Sequence, residues 1–259
     1  MKFVRRKVMG VLYVVGIGPG GYADMSIKAI DAIKKSELIV GYTAYIRLLK
    51  ESLSEEVWMR DKDFYDTGMM GEAKRCRYAI GEAAKGRTVS VICTGDAGVY
   101  GMASPVLELL DERNVSVEVI PGITAACSGA AILGAPLSND FCVISLSDRL
   151  TPYEVIVKRL KGAATADFPI VLYNPASKGR PDALKKAVEV LEECGIPEST
   201  VCGIAHSIGR DGESVTITDL GRLCDNEVTM SDTVFIGNSL SYKKDGHIVT
   251  PRGYKMSQD

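Results

Sequence analysis

Gly16-Ile17-Gly18-Pro19-Gly20-Gly21 follows the apolar run Val11–Val15, and Gly16, Gly18 and Gly21 satisfy the G-x-G-x-x-G spacing of a dinucleotide-binding turn. Such a turn cradles a pyrophosphate on backbone amides at a helix N-terminus, with an acid about 20 residues further on to hold the ribose hydroxyls. Neither further condition holds. Gly21-Tyr22-Ala23 continue as loop before Asp24 can cap a helix, and Pro19 stiffens the turn where free backbone donors are needed. The next apolar run, Leu38–Val40, leads into Gly41-Tyr42, with Glu37 at its wrong end. A tight strand-to-loop turn is the plainer account of these glycines.

Two more segments carry groups that could meet a ligand. Cys93–Gly101, CTGDAGVYG, places Gly95 and Asp96 at the carboxyl end of an expected strand, with Gly98 and Gly101 just beyond. Open α/β sheets bind ligands at those strand ends, so the Asp96 carboxylate could face a polar or cationic group there; its alternative role is a turn residue or helix cap. Pro121–Ala126, PGITAA, follows another strand and supplies Thr124 and small side chains at a helix start, where close packing is the competing role.

The elements that must position these loops are legible from hydrophobic periodicity. In the first half, strands are expected at Val11–Val15, Leu38–Val40, Thr88–Cys93 and Ser116–Ile120. Helices are expected at Ser26–Lys35 behind an Asp24 cap, at Gly71–Lys85 with Gly86 as its stop, and at Ser104–Arg113. That alternation predicts a parallel sheet covered on both faces. The small-residue stretch Gly122–Leu137 reads as a buried helix. A second alternation then runs through Phe141–Leu146, a helix near Pro152–Lys161, Pro169–Tyr173, a helix over Pro181–Cys194, Thr200–Ala205, Glu213–Thr218 and Thr233–Ile236. Gly209–Glu213, GRDGE, lies between two strand-like runs as a hairpin signal, so the second sheet is expected to be mixed. The fold class is α/β, with two α/β domains: 1–120 carrying the glycine-rich turn and 121–259 forming the second.

Composition narrows the partners. With 31 basic and 33 acidic residues in 259, the chain has no electrostatic footprint for nucleic acid or an anionic membrane surface. No apolar run reaches the roughly 18 residues of a membrane helix. The partner expected is a small molecule. The seven cysteines are scattered, without a C-x-x-C pair and with only His206 and His247 beside them, so neither a disulfide framework nor a zinc site is indicated. Most read as small core residues in a reducing, cytoplasmic setting, with an iron–sulfur cluster as the open alternative. The N-terminal MKFVRRKVMGVLYVVG has the charge pattern of a signal peptide but no small-residue cleavage site; Met9 could be the natural start, leaving Lys2–Lys7 as a basic tail.

Taken together, VVGIGPGG, GDAGVYG and VIPGITAACSGAAILGAPL resemble the hallmark segments of the tetrapyrrole (corrin/porphyrin) methylase family, over a span from about Met9 to Tyr242. The segment from Pro136 through Arg180, with GIAHSIGRDGE, is further similar to the branch that methylates carbon 17 of precorrin-3B-like rings in cobalamin biosynthesis and contracts the macrocycle. The resemblance implies S-adenosyl-L-methionine as cofactor, a tetrapyrrole substrate, a homodimer, and a cleft between two α/β domains that the second domain completes. It assigns cofactor contacts to Pro19, Thr94, Gly95, Asp96, Val99, Thr124, Ala125, Tyr173, Asn174 and Ile208, and turns Gly18 and Gly20 toward the macrocycle. One departure stands out: relatives often read Arg-Asn-Ala-Ser where this chain has His206-Ser207-Ile208-Gly209.

Methyl transfer from a sulfonium to a carbon nucleophile is an in-line displacement that demands alignment and desolvation more than strong acid–base groups. A chain with two histidines can do it. The ring's many carboxylates could be clamped by Arg149, Lys178, Arg180 and Arg210, all in expected loops, although each alone could be a solvated surface charge. Ring contraction, which only the resemblance implies, needs proton transfers; Ser147, Asp148 and His206 are the candidate groups, with a helix cap as the competing role of Asp148. A dinucleotide-dependent reductase and a non-catalytic tetrapyrrole carrier are the rivals. Affinity for NADH, or for the ring alone, would identify them.

Overall fold

The computed structural model describes residues 10–110 and 115–254. The chain divides into two compact units between Thr124 and Ala125. The expectations for Met9 and Lys2–Lys7 lie outside the described residues.

The first unit is built on five parallel strands: β1 (Gly10–Gly16), β2 (Leu38–Tyr42), β3 (Asp63–Thr67), β4 (Thr88–Cys93) and β5 (Val115–Ile120), in the order β3-β2-β4-β1-β5. Strands buried on both faces need apolar residues at both parities, and β1 supplies them. Leu12 and Val14 pack with Cys76, Ala79 and Ile80 of α3 (Glu72–Ala84) and Val106 of α4 (Ala103–Leu109). Val15 packs on the opposite face with Ala29 and Ile33 of α1 (Ile27–Lys35) and Leu49 of α2 (Thr43–Ser52). Helix α1 is capped by Ser26, whose hydroxyl accepts the Ala29 amide at 3.1 Å, and not by Asp24. Asp24 instead ends a short 3₁₀ turn, Tyr22–Asp24, because a glycine-rich turn this long needs an intermediate fold-back before a helix can start. Helix α4 stops at Leu109, short of the expected Arg113.

The second unit begins with α5 (Ala125–Leu133), shorter than the expected Gly122–Leu137 because Gly134 takes a φ of +117° and turns the chain into β6 (Gly134–Ala135). Its main sheet contains β7 (Cys142–Ser145), β8 (Ile170–Tyr173), β9 (Val201–His206), β10 (Ser214–Asp219) and β11 (Thr233–Ile236), in the order β10-β9-β11-β8-β7. Only β7 and β8 pair in parallel; β9 and β10 form the hairpin across GRDGE, with His206 opposite Ser214. Helices α6 (Tyr153–Thr165) and α7 (Ala183–Glu193) cover one face through Ile156, Leu160, Leu184 and Leu191. Helix α5 covers the other face through Ala126 and Leu133, against Val171 and Phe235. A three-stranded sheet joins β6 to β12 (Tyr242–Lys244) and β13 (His247–Val249).

The cysteines divide between core and surface. Cys76, Cys93 and Cys202 are core residues, but Cys127, Cys194 and Cys224 are exposed, because each falls on the outward side of a helix, turn or helix end.

Candidate functional site

In the first unit, β1 crosses to β2 on one face and β4 crosses to β5 on the other, so the loops after β1 and β4 leave neighbouring strands in opposite directions. That is the position at which open α/β sheets take ligands. Here the two loops are tied together: the Ile17 amide donates to the Cys93 carbonyl at 2.9 Å, and Gly18 and Gly95 exchange backbone hydrogen bonds of 3.1 and 2.7 Å. The loop after β5 joins them. A Cβ on Gly122 would lie 2.2 Å from the Gly95 carbonyl oxygen and 2.6 Å from that of Gly16, so three loops close over bare backbone.

Asp96 organises this knot. Its Oδ1 accepts the amides of Gly98 at 2.8 Å and Val99 at 3.1 Å, and its Oδ2 accepts that of Gly122 at 2.9 Å. The carboxylate is thereby committed to backbone donors of two loops, and it fixes the carbonyls and amides around Thr94, Gly95 and Val99. Gly18 is buried, with φ +74°, and a Cβ there would lie 2.6 Å from the Asp24 carbonyl oxygen. The glycine is required by the turn and its packing, which differs from the open, ring-facing position expected for it. Pro19 and Gly20 are buried beside it.

In the second unit, β7, β8 and β9 run in the same direction and end at one edge. Ser145, the last residue of β7, is a hub: its hydroxyl accepts the Asn174 side-chain amide at 2.9 Å and the Ser147 backbone amide at 3.2 Å. Asn174 itself takes φ +55°, a conformation short polar side chains tolerate, so its backbone is turned and held. The Tyr173 hydroxyl accepts the Ala126 amide in the first turn of α5 at 2.7 Å, which ties Tyr173 to the residue after the expected contact Ala125. Ser207 (φ +47°) and Gly209 (φ +67°) fold the hairpin loop so that Ile208 turns its side chain into the core, leaving backbone groups as what it can offer a ligand.

The expected proton-transfer trio is not one cluster. Asp148 pairs with Arg180, Nε to Oδ1 at 3.2 Å, and Arg180 also donates to the Leu146 carbonyl at 2.6 Å. His206, at the end of β9, lies three strand spacings from the end of β7, about 14 Å. Its Nδ1 faces Asp232 Oδ1 at 3.4 Å, and its Nε2 faces the Thr216 hydroxyl at 3.4 Å. Asp232 is buried and accepts the Thr229 amide at 2.6 Å. Sequence reasoning missed Asp232, since nothing local in TMSDT marks a carboxylate that only the β9–β11 pairing brings to His206. Among the expected cations, Arg180 serves as a loop clasp, while Arg149, Lys178 and Arg210 are exposed on the loops at this same edge. Among the described residues no cluster of His, Cys, Asp and Glu could hold a metal, and no helix is long and apolar enough to cross a membrane.

Residues 11–224 match the family profile of tetrapyrrole (corrin/porphyrin) methylases. The chain is 44% identical over 248 residues to a probable cobalt-factor III C(17)-methyltransferase of Salmonella typhimurium, covering 95% of this chain and all of that protein. It is 36% identical to a precorrin-3B C(17)-methyltransferase of a Sinorhizobium species, covering 95% and 97%. The crystal structure of the methyltransferase CobJ superposes with a TM-score of 0.84 at 31% identity, covering 93% of this chain and all of the other.

Proposed function

The chain belongs to the tetrapyrrole methylase family, and from that premise we propose that it transfers a methyl group from S-adenosylmethionine to carbon 17 of a precorrin-3B-type macrocycle in cobalamin biosynthesis. The observation that carries this is the end-to-end match to a relative of that named activity. The cobalt-containing ring is favoured as substrate, because the more similar of the two relatives described above is named for cobalt-factor III.

The donor set suits the cofactor. Pro19, Thr94, Gly95, Asp96, Val99, Thr124, Ala125, Tyr173, Asn174 and Ile208 include no cation, so a sulfonium meets no like charge among them, and they offer chiefly backbone groups fixed by Asp96 and by left-handed turns. Bound there, the cofactor supplies an electrophilic methyl group for attack by a ring carbon. The protein's part is to orient the reactants and exclude water, for which rigid loops are the requirement. Asp96 does this at one sheet edge, and Ser145 and the Tyr173 hydroxyl at the other.

For ring contraction, His206 is the best-supported proton carrier: the buried Asp232 carboxylate lies 3.4 Å from its Nδ1 and can orient the imidazole, with Nε2 turned toward the Thr216 hydroxyl. Ser147 and Asp148 sit apart from it, and the Asp148–Arg180 pair supports a role in shaping the loops after β7 and β8. Arg149, Lys178 and Arg210 are the exposed cations proposed to meet ring carboxylates. A homodimer completes this reading and is checked by sedimentation. The deciding experiment incubates the protein with S-adenosylmethionine and either cobalt-factor III or precorrin-3B, followed by mass spectrometry. Gain of one methyl group at carbon 17 is expected with the cobalt ring; methylation of neither ring overturns the proposal.

A further inference from the structure

Alternation along β9 and β11 sends one parity of each strand under α6 and α7: Cys202 and Ile204 from β9, Val234 and Ile236 from β11. Carried one step further at the same parity, this face ends in His206 and Asp232. Thr233 pairs with Ala205, so Asp232, the residue before β11, comes opposite His206. Thr216 of β10 pairs with Ile204 and shares the face. Three neighbouring strands thus line up a carboxylate, an imidazole and a hydroxyl, with Asp232 Oδ1 3.4 Å from His206 Nδ1 and the Thr216 hydroxyl 3.4 Å from Nε2.

Asp232 is the unusual member of this row. Its side chain is 5% exposed, and a carboxylate removed from water is costly unless its oxygens are paired. Oδ2 accepts the Thr229 amide at 2.6 Å, which closes the turn before β11. A turn cap needs only that oxygen and can stay in water. Oδ1 is turned to the imidazole, and because a backbone donor holds Oδ2, the two oxygens cannot exchange roles without breaking the turn.

We propose that Asp232 is a positioning residue that holds His206 in its Nδ1–H tautomer, so that Nε2 is the accepting nitrogen and the Thr216 hydroxyl its donor. This rests on the reading of His206 as the proton carrier of ring contraction. The reason is the one-sidedness of the partner: an ionised carboxylate only accepts, so the nitrogen that faces it must carry the proton.

Asp232→Asn reverses the arrangement with little change of shape. The Thr229 amide demands the acceptor oxygen of the new side chain, which leaves its NH2 group against Nδ1; that nitrogen must then accept, and the proton moves to Nε2. The chain has two histidines, so His247→Gln provides a parent protein in which every imidazole signal belongs to His206. Nitrogen and carbon chemical shifts of the labelled ring report its tautomer at about pH 9, above the ordinary imidazole pKa near 6.5. Turnover of cobalt-factor III to the contracted ring is followed in parallel by absorption.

Expected are the Nδ1–H form in the parent, the Nε2–H form after Asp232→Asn, and a kcat for contraction lowered at least about tenfold at unchanged KM. Thr216→Val should keep the Nδ1–H form, since the carboxylate and not the hydroxyl sets it. An Nε2–H ring in the parent overturns the proposal without any Asp232 variant having to fold. A tautomer indifferent to Asp232→Asn, or one reversed by Thr216→Val, overturns it as well. A reversed tautomer with kcat unchanged overturns the positioning role while the methylase reading stands. A parent that methylates neither ring overturns the methylase reading and the proposal with it.

Discussion

At the scale of single residues, Asp96 separates charge from position. Its carboxylate holds three amides, two on its own loop and one on the loop after β5. Asp96→Ala should loosen both loops and lower S-adenosylhomocysteine affinity about tenfold or more, as expected when hydrogen bonds to a charged group worth roughly 1.5–3 kcal/mol are lost. Asp96→Asn retains an acceptor oxygen. If the residue works by holding the loops, calorimetry will place the asparagine variant closer to wild type than to alanine; if it bonds the cofactor by charge, the two variants will be alike. Gly18→Ala meets both a positive φ and the Asp24 carbonyl, and should lower stability by about 2 kcal/mol, read as a fall in the urea midpoint at unchanged slope. An unchanged midpoint would mean that the turn relaxes freely.

Strands with continuous apolar runs were legible in the sequence, whereas helix α2 and several short strands were not. Strand β4 was readable to the residue, because Thr88–Cys93 is a continuous run in the sheet interior. Strand β3 was missed: DFYDT is an edge strand carrying two aspartates, and its pairing with β2 is not a local property. The sheet of β6, β12 and β13 was equally invisible, since it joins two residues after α5 to a hairpin near the C-terminus. In the candidate site the loops were found because glycine and aspartate cluster at strand ends. What the carboxylate and the cations bond was not, as with Arg180 and its clasp on Leu146.

The edge of β3 carries a pH-dependent tie. Glu82 on α3 pairs with Lys85 and Arg87, and Arg87 reaches Asp63. Hydrogen bonds from Lys85 and then Arg87 hold the Glu82 carboxyl below its ordinary range. A depressed carboxyl stabilises the fold above the unfolded-state pKa near 4.3 and loses that contribution as pH falls through the lower native value. Glu82→Gln should therefore cost about 1 kcal/mol at neutral pH and nothing once the pH has dropped below both values, compared by urea unfolding. A pH-independent difference would assign the cost to packing.

For the molecule as a whole, each unit by itself carries a strand-end edge with fixed loops, and a cofactor that used both would leave its mark on both. Hydrogen exchange with S-adenosylhomocysteine should slow at residues 94–99 and 122–126 and also at 173–174 and 207–209. Protection confined to one unit would restrict the cofactor to that unit. Cys127 on the first turn of α5 gives a chemical check: it is exposed, and saturating ligand should slow its alkylation while leaving Cys194 unaffected. Buried Cys76 and Cys93, each with a thiol pushed up to about 11 by burial, should stay unreactive until the chain unfolds.

The backbone contact among Gly16, Gly95 and Gly122 also has an evolutionary meaning. A side chain on Gly16 or Gly122 would strike the Gly95 carbonyl, so none of the loops after β1, β4 and β5 can drift without the others. Variation that leaves the fold intact is therefore confined to connections outside this triplet. A mutant library that seeks a new macrocycle should spend its diversity there and hold the glycine triplet constant.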